Sequence, residues 1–283
     1  LNMTKQFTSN VNQFSQQINS IVMALAGADR VFKLMDEAAE EDEGYVTLVN
    51  AKVDENGAIT ECEERTGTWA WRHPHSADGT VTYTLLKGDV RFHDVTFSYD
   101  GKKTVLKNVS LYAKPGQKIA FVGSTGAGKT TMVKLLMRFY DVDKGKITVD
   151  GKDVRDIAFS SLRDAYGMVL QDTWIKTGTV RENIAYANPN ASDEDIREAA
   201  RLCHIDSLID TLPHGYDEII SEDTDSISHG QKQLISIARV MLSDPYMLIL
   251  DEATSSIDTR TEIQIQKAFN FLMEGRTSFI VAH

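Results

Sequence analysis

Eight consecutive residues, Gly123-Ser124-Thr125-Gly126-Ala127-Gly128-Lys129-Thr130, satisfy the pattern G-x-x-x-x-G-K-[ST] at every fixed position. Residue types in that order suit a polyphosphate. The glycines let backbone N–H groups close around phosphate oxygens, Lys129 reaches the β- and γ-phosphates, and the Thr130 hydroxyl is a ligand for Mg²⁺. Farther along, Met247-Leu248-Ile249-Leu250-Asp251-Glu252 runs four apolar residues into two carboxylates. Asp251 suits the shell of Mg²⁺, usually through water, and Glu252 points elsewhere, toward a water in line with the γ-phosphate. Four apolar residues before Asp-Glu are weak evidence alone, since acidic residues often cap strands; downstream of a glycine phosphate loop they become strong. A third segment, Ile227-Ser228-His229-Gly230-Gln231, precedes an apolar-periodic run from Lys232 to Leu242. Ser228 suits an N-cap, and Gly230 allows close backbone approach to a ligand. This is a second helix N-terminus suited to an anion, in a chain with one nucleotide loop. Either it is simply a capped helix, or it serves a nucleotide held by another subunit.

These residues need elements to hold them. Lys118–Val122 reads as an apolar strand feeding the glycine loop, and Thr131–Phe139 as the helix that follows. That arrangement points consecutive N–H groups and a helix dipole at one spot. Val90–Phe97, Val109–Ala113 and Lys146–Asp150 are further strand candidates. Met247–Leu250 and Ser278–Ala282 are near-continuous apolar runs, as a buried parallel sheet requires. Between about Gly178 and Ser243 the pattern turns helical. Ser192-Asp193-Glu194-Asp195 has the form of a capping box, and Asp244-Pro245 stops the next helix.

The chain has 283 residues, 42% hydrophobic and 25% charged, with a net charge of −11. That composition supports a sizeable core, and the charge argues against a nucleic-acid surface. Cys62 and Cys203 lie far apart without metal-ligand spacing and read as two reduced thiols. No apolar run approaches the length of a membrane span. Residues 1–36 read as one helix with an apolar stripe at Phe7, Val11, Phe14, Ile18 and Leu25. Its opposite face is polar but uncharged from Asn10 to Ser20. An ordinary amphipathic helix fits, and so does a helix emerging from a membrane bundle. Asp36–Gly44 reads as an acidic linker, and residues 45–88 as short strands with turns at Glu55-Asn56-Gly57 and Asp78-Gly79. The Trp69, Trp71, His73, His75 alternation reads as hairpin packing.

Gly123–Thr130, Gln171, Ser228-His229-Gly230-Gln231, Met247–Glu252, Ser255-Ser256-Ile257-Asp258 and His283 occur in the order seen in ATP-binding cassette (ABC) nucleotide-binding domains. The match covers roughly residues 89–283. Val95–Tyr99, Arg138–Asp141, Gly178–Ile184 and Asp251–Ser256 are most similar to the exporter branch. Residues 1–36 resemble the cytoplasmic end of the last transmembrane helix, and 37–88 a linker and β-hairpin insertion found in some bacterial members. The resemblance implies an α/β fold: a RecA-like P-loop NTPase core with an antiparallel β-subdomain and a helical subdomain at about 178–243. It also implies a cassette truncated at the C-terminus, since family members continue past His283.

The implied function is ATP binding and hydrolysis that drives export, with the cassette on the cytoplasmic side of the plasma membrane. The implied partners are a transmembrane domain of the same polypeptide and a second cassette, arranged head to tail. Tyr99 would stack on adenine, where the bland alternative is an exposed strand-end aromatic. Gly123, Ser124, Thr125, Gly126, Ala127, Gly128, Lys129, Thr130 and Thr131 would wrap the phosphates. Thr130, Gln171 and Asp251 would serve Mg²⁺. Lys129, Gln171, Glu252 and His283 would carry the chemistry. Ser228, Gly230 and Gln231 would complete the opposing subunit's site, and Asp258 would communicate across that interface. His229 departs from the usual Gly or Gln, and Ile227 from the usual Leu. His229 therefore marks the site suspected of altered turnover. The alternative function is a regulatory ATP-binding subunit with an impaired site in a heterodimeric exporter.

Overall fold

The computed structural model describes residues 2–64, 66–170, 173–222, 227–252 and 258–282, with the backbone alone for Glu252. It divides into a unit of residues 1–42 and a unit of residues 43–283. The first unit carries a helix, Asn2–Met35, none of whose residues is buried. Its apolar stripe is open, with Phe7, Phe14 and Leu25 among the exposed residues, and Lys33 pairs with Asp29 at 2.7 Å. Among the described residues no helix is long and apolar enough to cross a membrane.

A four-stranded parallel sheet forms the centre of the second unit. Its spatial order is Tyr166–Val169, Met247–Glu252, Thr277–Ala282 and Lys118–Phe121. The apolar run Met247–Leu250 has no exposed surface. Its residues alternate between the two faces of the sheet. Met247 and Ile249 enter a core with Phe121, Leu136 and Phe279, while Leu248 and Leu250 enter a second core with Ile184, Ile235 and Phe269. Burial on both faces explains why this strand reads as continuous rather than alternating hydrophobicity.

Tyr166–Val169 was not among the expected strands. It is four residues long and contains Gly167, whose added Cβ would lie 2.4 Å from Pro245 Cγ. The glycine that lets Pro245 approach so closely also weakens the strand signal. Lys118–Phe121 ends one residue earlier than expected, and Val122 is 78% exposed where the chain leaves the sheet.

On one side lies an antiparallel sheet in the order Thr104–Ala113, Val90–Ser98, Lys144–Val149 and Lys152–Asp153. Val90, Phe92, Val95 and Phe97 all point inward although the spacing is odd between Phe92 and Val95. A register shift there resolves the conflict, with Asp94 at φ 49° and the Ser110 hydroxyl donating to its carboxylate at 2.7 Å. This is how a bulge restores phase in a strand.

Residues 45–88 form a four-stranded antiparallel sheet in the order Ile59–Glu61, Thr47–Val53, Trp69–Pro74 and Val81–Leu85. Trp71 is fully buried, and its Nε1 donates to Asp150 Oδ2 at 3.0 Å. The other Asp150 oxygen accepts from the Asp89 amide at 2.9 Å. The His73 and His75 rings stack at 4.5 Å. The Trp/His alternation is therefore packing, as its spacing suggested.

The helical stretch comprises Val180–Ile184, Asp193–Leu202, Asp206–Ile209 and His229–Ser243, tied by a two-stranded ribbon of Gly178–Thr179 and Ile219–Ile220. Ser192 and Asp195 form the expected capping box, and Asp244 ends the long helix at φ 50°.

Candidate phosphate-binding site

Thr104–Ala113 and Lys118–Phe121 deliver the chain to the glycine loop, and the helix Lys129–Leu136 leaves it. That helix starts at Gly128 with φ 92° and has no side-chain cap. By contrast, the helices beginning at Asp193, His229 and Thr259 are closed by the side chains of Ser192, Ser228 and Asp258. A helix start without a side-chain acceptor leaves its N–H groups and positive dipole end open to an anion. Gly128 is favoured by its φ, which disfavours any side chain. An added Cβ would also press on the end of the Leu106 side chain at 2.7 Å.

The loop folds back on itself. The Ala127 amide donates to the Ser124 carbonyl at 3.0 Å, and the buried Lys129 ammonium donates to the Gly123 carbonyl. The ammonium is thus held across the mouth of the loop. A cleft of about 270 Å³ results, lined by Tyr99, Val105 and every residue from Ser124 to Thr131. The Tyr99 hydroxyl lies 3.0 Å from Thr131 Oγ1, and its ring meets Phe97 and Tyr140 edge-on at 4.9 and 5.1 Å. Nearly half of Tyr99 is exposed. Val105 had no signal in the sequence, because it reaches the cleft only through the fold of the antiparallel sheet.

Register then brings the acidic strand to the same sheet edge. Phe121 lies level with Val281, and Val281 with Asp251, while Val169 lies level with Leu250. The glycine loop and Asp251–Glu252 therefore leave the sheet at one level of its C-terminal edge, where open α/β sheets hold ligands. Gln171 and His283 follow the ends of two described strands, but both lie outside the described residues, as do Ser255 to Ile257 and the Glu252 side chain. Thr130 and Asp251 supply hard oxygen donors, and that set suits Mg²⁺.

Ser228 caps the helix His229–Ser243. Its hydroxyl accepts from the Gln231 amide at 3.3 Å, and Gln231 Oε1 accepts from the Ser228 amide at 2.8 Å. Gly230 is buried and His229 exposed. None of Ser228, Gly230 and Gln231 lines the phosphate cleft. Asp258 accepts from the amides of Thr261 at 3.0 Å and Arg260 at 3.1 Å, and these bonds hold its carboxyl below the usual range.

The family model of the ABC transporter matches residues 106–255. An uncharacterized ABC transporter ATP-binding protein of Bacillus subtilis (strain 168) is 43% identical over 280 residues, covering 99% of this chain and 41% of that protein. A fatty acid ABC transporter ATP-binding/permease protein of Mycobacterium bovis is 44% identical over 279 residues, covering 99% and 39%. A solved structure of a bacterial Atm1-family ABC exporter with ATP bound superposes with TM-score 0.64 at 38% identity, covering 70% of this chain and 34% of that one. The chain thus spans about two fifths of the length of these curated relatives.

Proposed function

This chain belongs to the ABC transporter family and carries its ATP-binding domain, and we propose that it hydrolyses ATP to power export by a membrane protein of which it is the cytoplasmic part. The observation that carries this reading is the uncapped helix start at Gly128, closed over by Lys129, at the sheet edge where Asp251 and Glu252 emerge.

Hydrolysis here is mainly positioning and charge stabilisation. The amides of the loop hold the phosphates, and the Lys129 ammonium exchanges the Gly123 carbonyl for the β- and γ-phosphate oxygens. Glu252 aligns a water and takes its proton as the oxygen attacks. Gln171 and His283, next in sequence after residues 166–170 and Thr277–Ala282, would hold that water and the γ-phosphate. When bound at Thr130 and Asp251, Mg²⁺ neutralises phosphate charge. Tyr99 offers a ring to the adenine.

Ser228, Gly230 and Gln231 face a nucleotide held by a second copy or a related cassette, so two chains sandwich two ATP molecules head to tail. The absence of these residues from the chain's own cleft supports that arrangement. ATP closes the pair and hydrolysis releases it, driving transmembrane segments between inward- and outward-facing states.

The test is nucleotide retention and turnover in the full-length transporter. The account expects magnesium-dependent ATP binding and phosphate release, with binding weakened and release lost in Lys129→Ala. Failure of the unsubstituted protein to retain ATP overturns it.

A further inference from the structure

Arg239 lies in the third turn of the Ser228-capped helix and reaches back to the segment that follows Gln171. Its Nε donates to the Asn183 carbonyl at 2.9 Å, one Nη to the Trp174 carbonyl at 3.2 Å, and the other to Asn183 Oδ1 at 3.2 Å. The guanidinium also lies 5.1 Å from the Tyr186 ring centroid and 5.7 Å from that of Trp174, and the two rings meet at 5.3 Å. Among the described residues no carboxylate pairs with it. The cation is held by neutral carbonyls and aromatic faces, and its burial lowers its pKa from the ordinary guanidinium value.

Asn183 extends this hold to a whole loop. It is fully buried, and its Oδ1 accepts from the Lys176 amide at 2.9 Å. Its Nδ2 donates to the carbonyls of Lys176 at 2.9 Å and Thr179 at 3.0 Å. A second fastening sits at the start of the helix. Lys232 donates to the Glu222 carbonyl, and Glu222 Oε2 accepts from the Ile175 amide at 3.0 Å. Segment 174–184 is therefore bolted to the helix near both ends. Trp174 and the nearby Tyr186 are about half exposed, leaving an open outer face.

We infer that Arg239 is a positioning residue that makes segment 174–184 and the helix beginning at Ser228 one rigid body. A displacement applied at the exposed Trp174–Tyr186 face then moves the Ser228 end with it. A planar fork suits this task, since it fixes three bonds in one plane while laying its flat faces near two rings, and a lysine ammonium lacks that rigid planar geometry. The inference rests on the proposed role of Ser228 in ATP turnover.

The test uses the full-length transporter in lipid membranes, with spin labels at Thr177→Cys and Ser236→Cys in a background free of other reactive thiols. The unsubstituted residue 239 should give one narrow distance with and without magnesium and ATP. Arg239→Lys should broaden it and lower kcat about tenfold, with KM for ATP within about twofold because the Gly123–Thr130 loop is untouched. A distance that stays narrow in Arg239→Lys, or a kcat that does not fall, overturns the inference. A loss of ATP affinity and melting temperature in parallel with kcat also overturns it, because that marks a merely structural role. Failure of the parent protein to hydrolyse ATP strikes the proposed function instead, and the distance measurement still decides the rigid body.

Discussion

Lys129 carries the most direct prediction at the scale of single residues. Its ammonium is buried and bonded to Gly123 O, so it is already aimed at the loop it serves. Lys129→Ala should weaken ATP binding about 10- to 100-fold, the worth of a charge-assisted hydrogen bond, measured by equilibrium titration with a labelled nucleotide. Glu252→Gln should behave oppositely, retaining ATP while slowing phosphate release at least about a hundredfold. Unchanged turnover would remove Glu252 from its role.

Cys203 tests the core. Burial pushes its thiol up to about 12, and burial also raises Tyr166. The folded state therefore holds the thiol proton more tightly than the unfolded chain. Stability from this group is complete below about pH 8.5 and is lost at about 1.4 kcal/mol per pH unit as pH rises toward 12. Denaturant titrations across pH 9–11 should show a steeper decline in the parent than in Cys203→Ala. Parallel declines would contradict the burial argument.

At the scale of elements, the helix caps separate structure from function. Ser192→Ala should cost about 1 kcal/mol of stability and leave ATP affinity unchanged, because that cap faces only its own helix. Ser228→Ala should cost a similar amount but also lower turnover, if its hydroxyl serves a partner's nucleotide. Equal turnover in both variants would reduce Ser228 to a cap.

The same elements show where the sequence was legible. The glycine loop, the strand before it, Met247–Glu252 and the two caps at Ser192 and Ser228 all act through short-range rules, and each could be read directly, whereas the cap that Asp258 forms was not read. Tyr166–Val169 escaped because a four-residue strand containing glycine has no distinctive period. Val105 and Arg239 escaped for a different reason. Each acts through contacts with segments distant in the chain, Val105 on the phosphate cleft and Arg239 on Trp174, Asn183 and Tyr186, and no local pattern encodes those.

At the scale of the whole molecule, the two proposed halves of an ATP site lie on one chain but not at one cleft. Lys129 lines the phosphate cleft and Ser228 does not. On the proposed head-to-tail reading, catalysis requires a second cassette. The most direct measurement mixes two disabled copies in a Glu252→Gln background, one carrying Lys129→Ala and the other Ser228→Arg. Each alone should fail to retain ATP. Head-to-tail pairing leaves one intact site in the mixed dimer, formed by Lys129 of the second copy and Ser228 of the first. The account predicts one ATP retained per mixed dimer after gel filtration. No retention by the mixture, where the parent pair retains two, would contradict it and return Ser228 to its own chain's site.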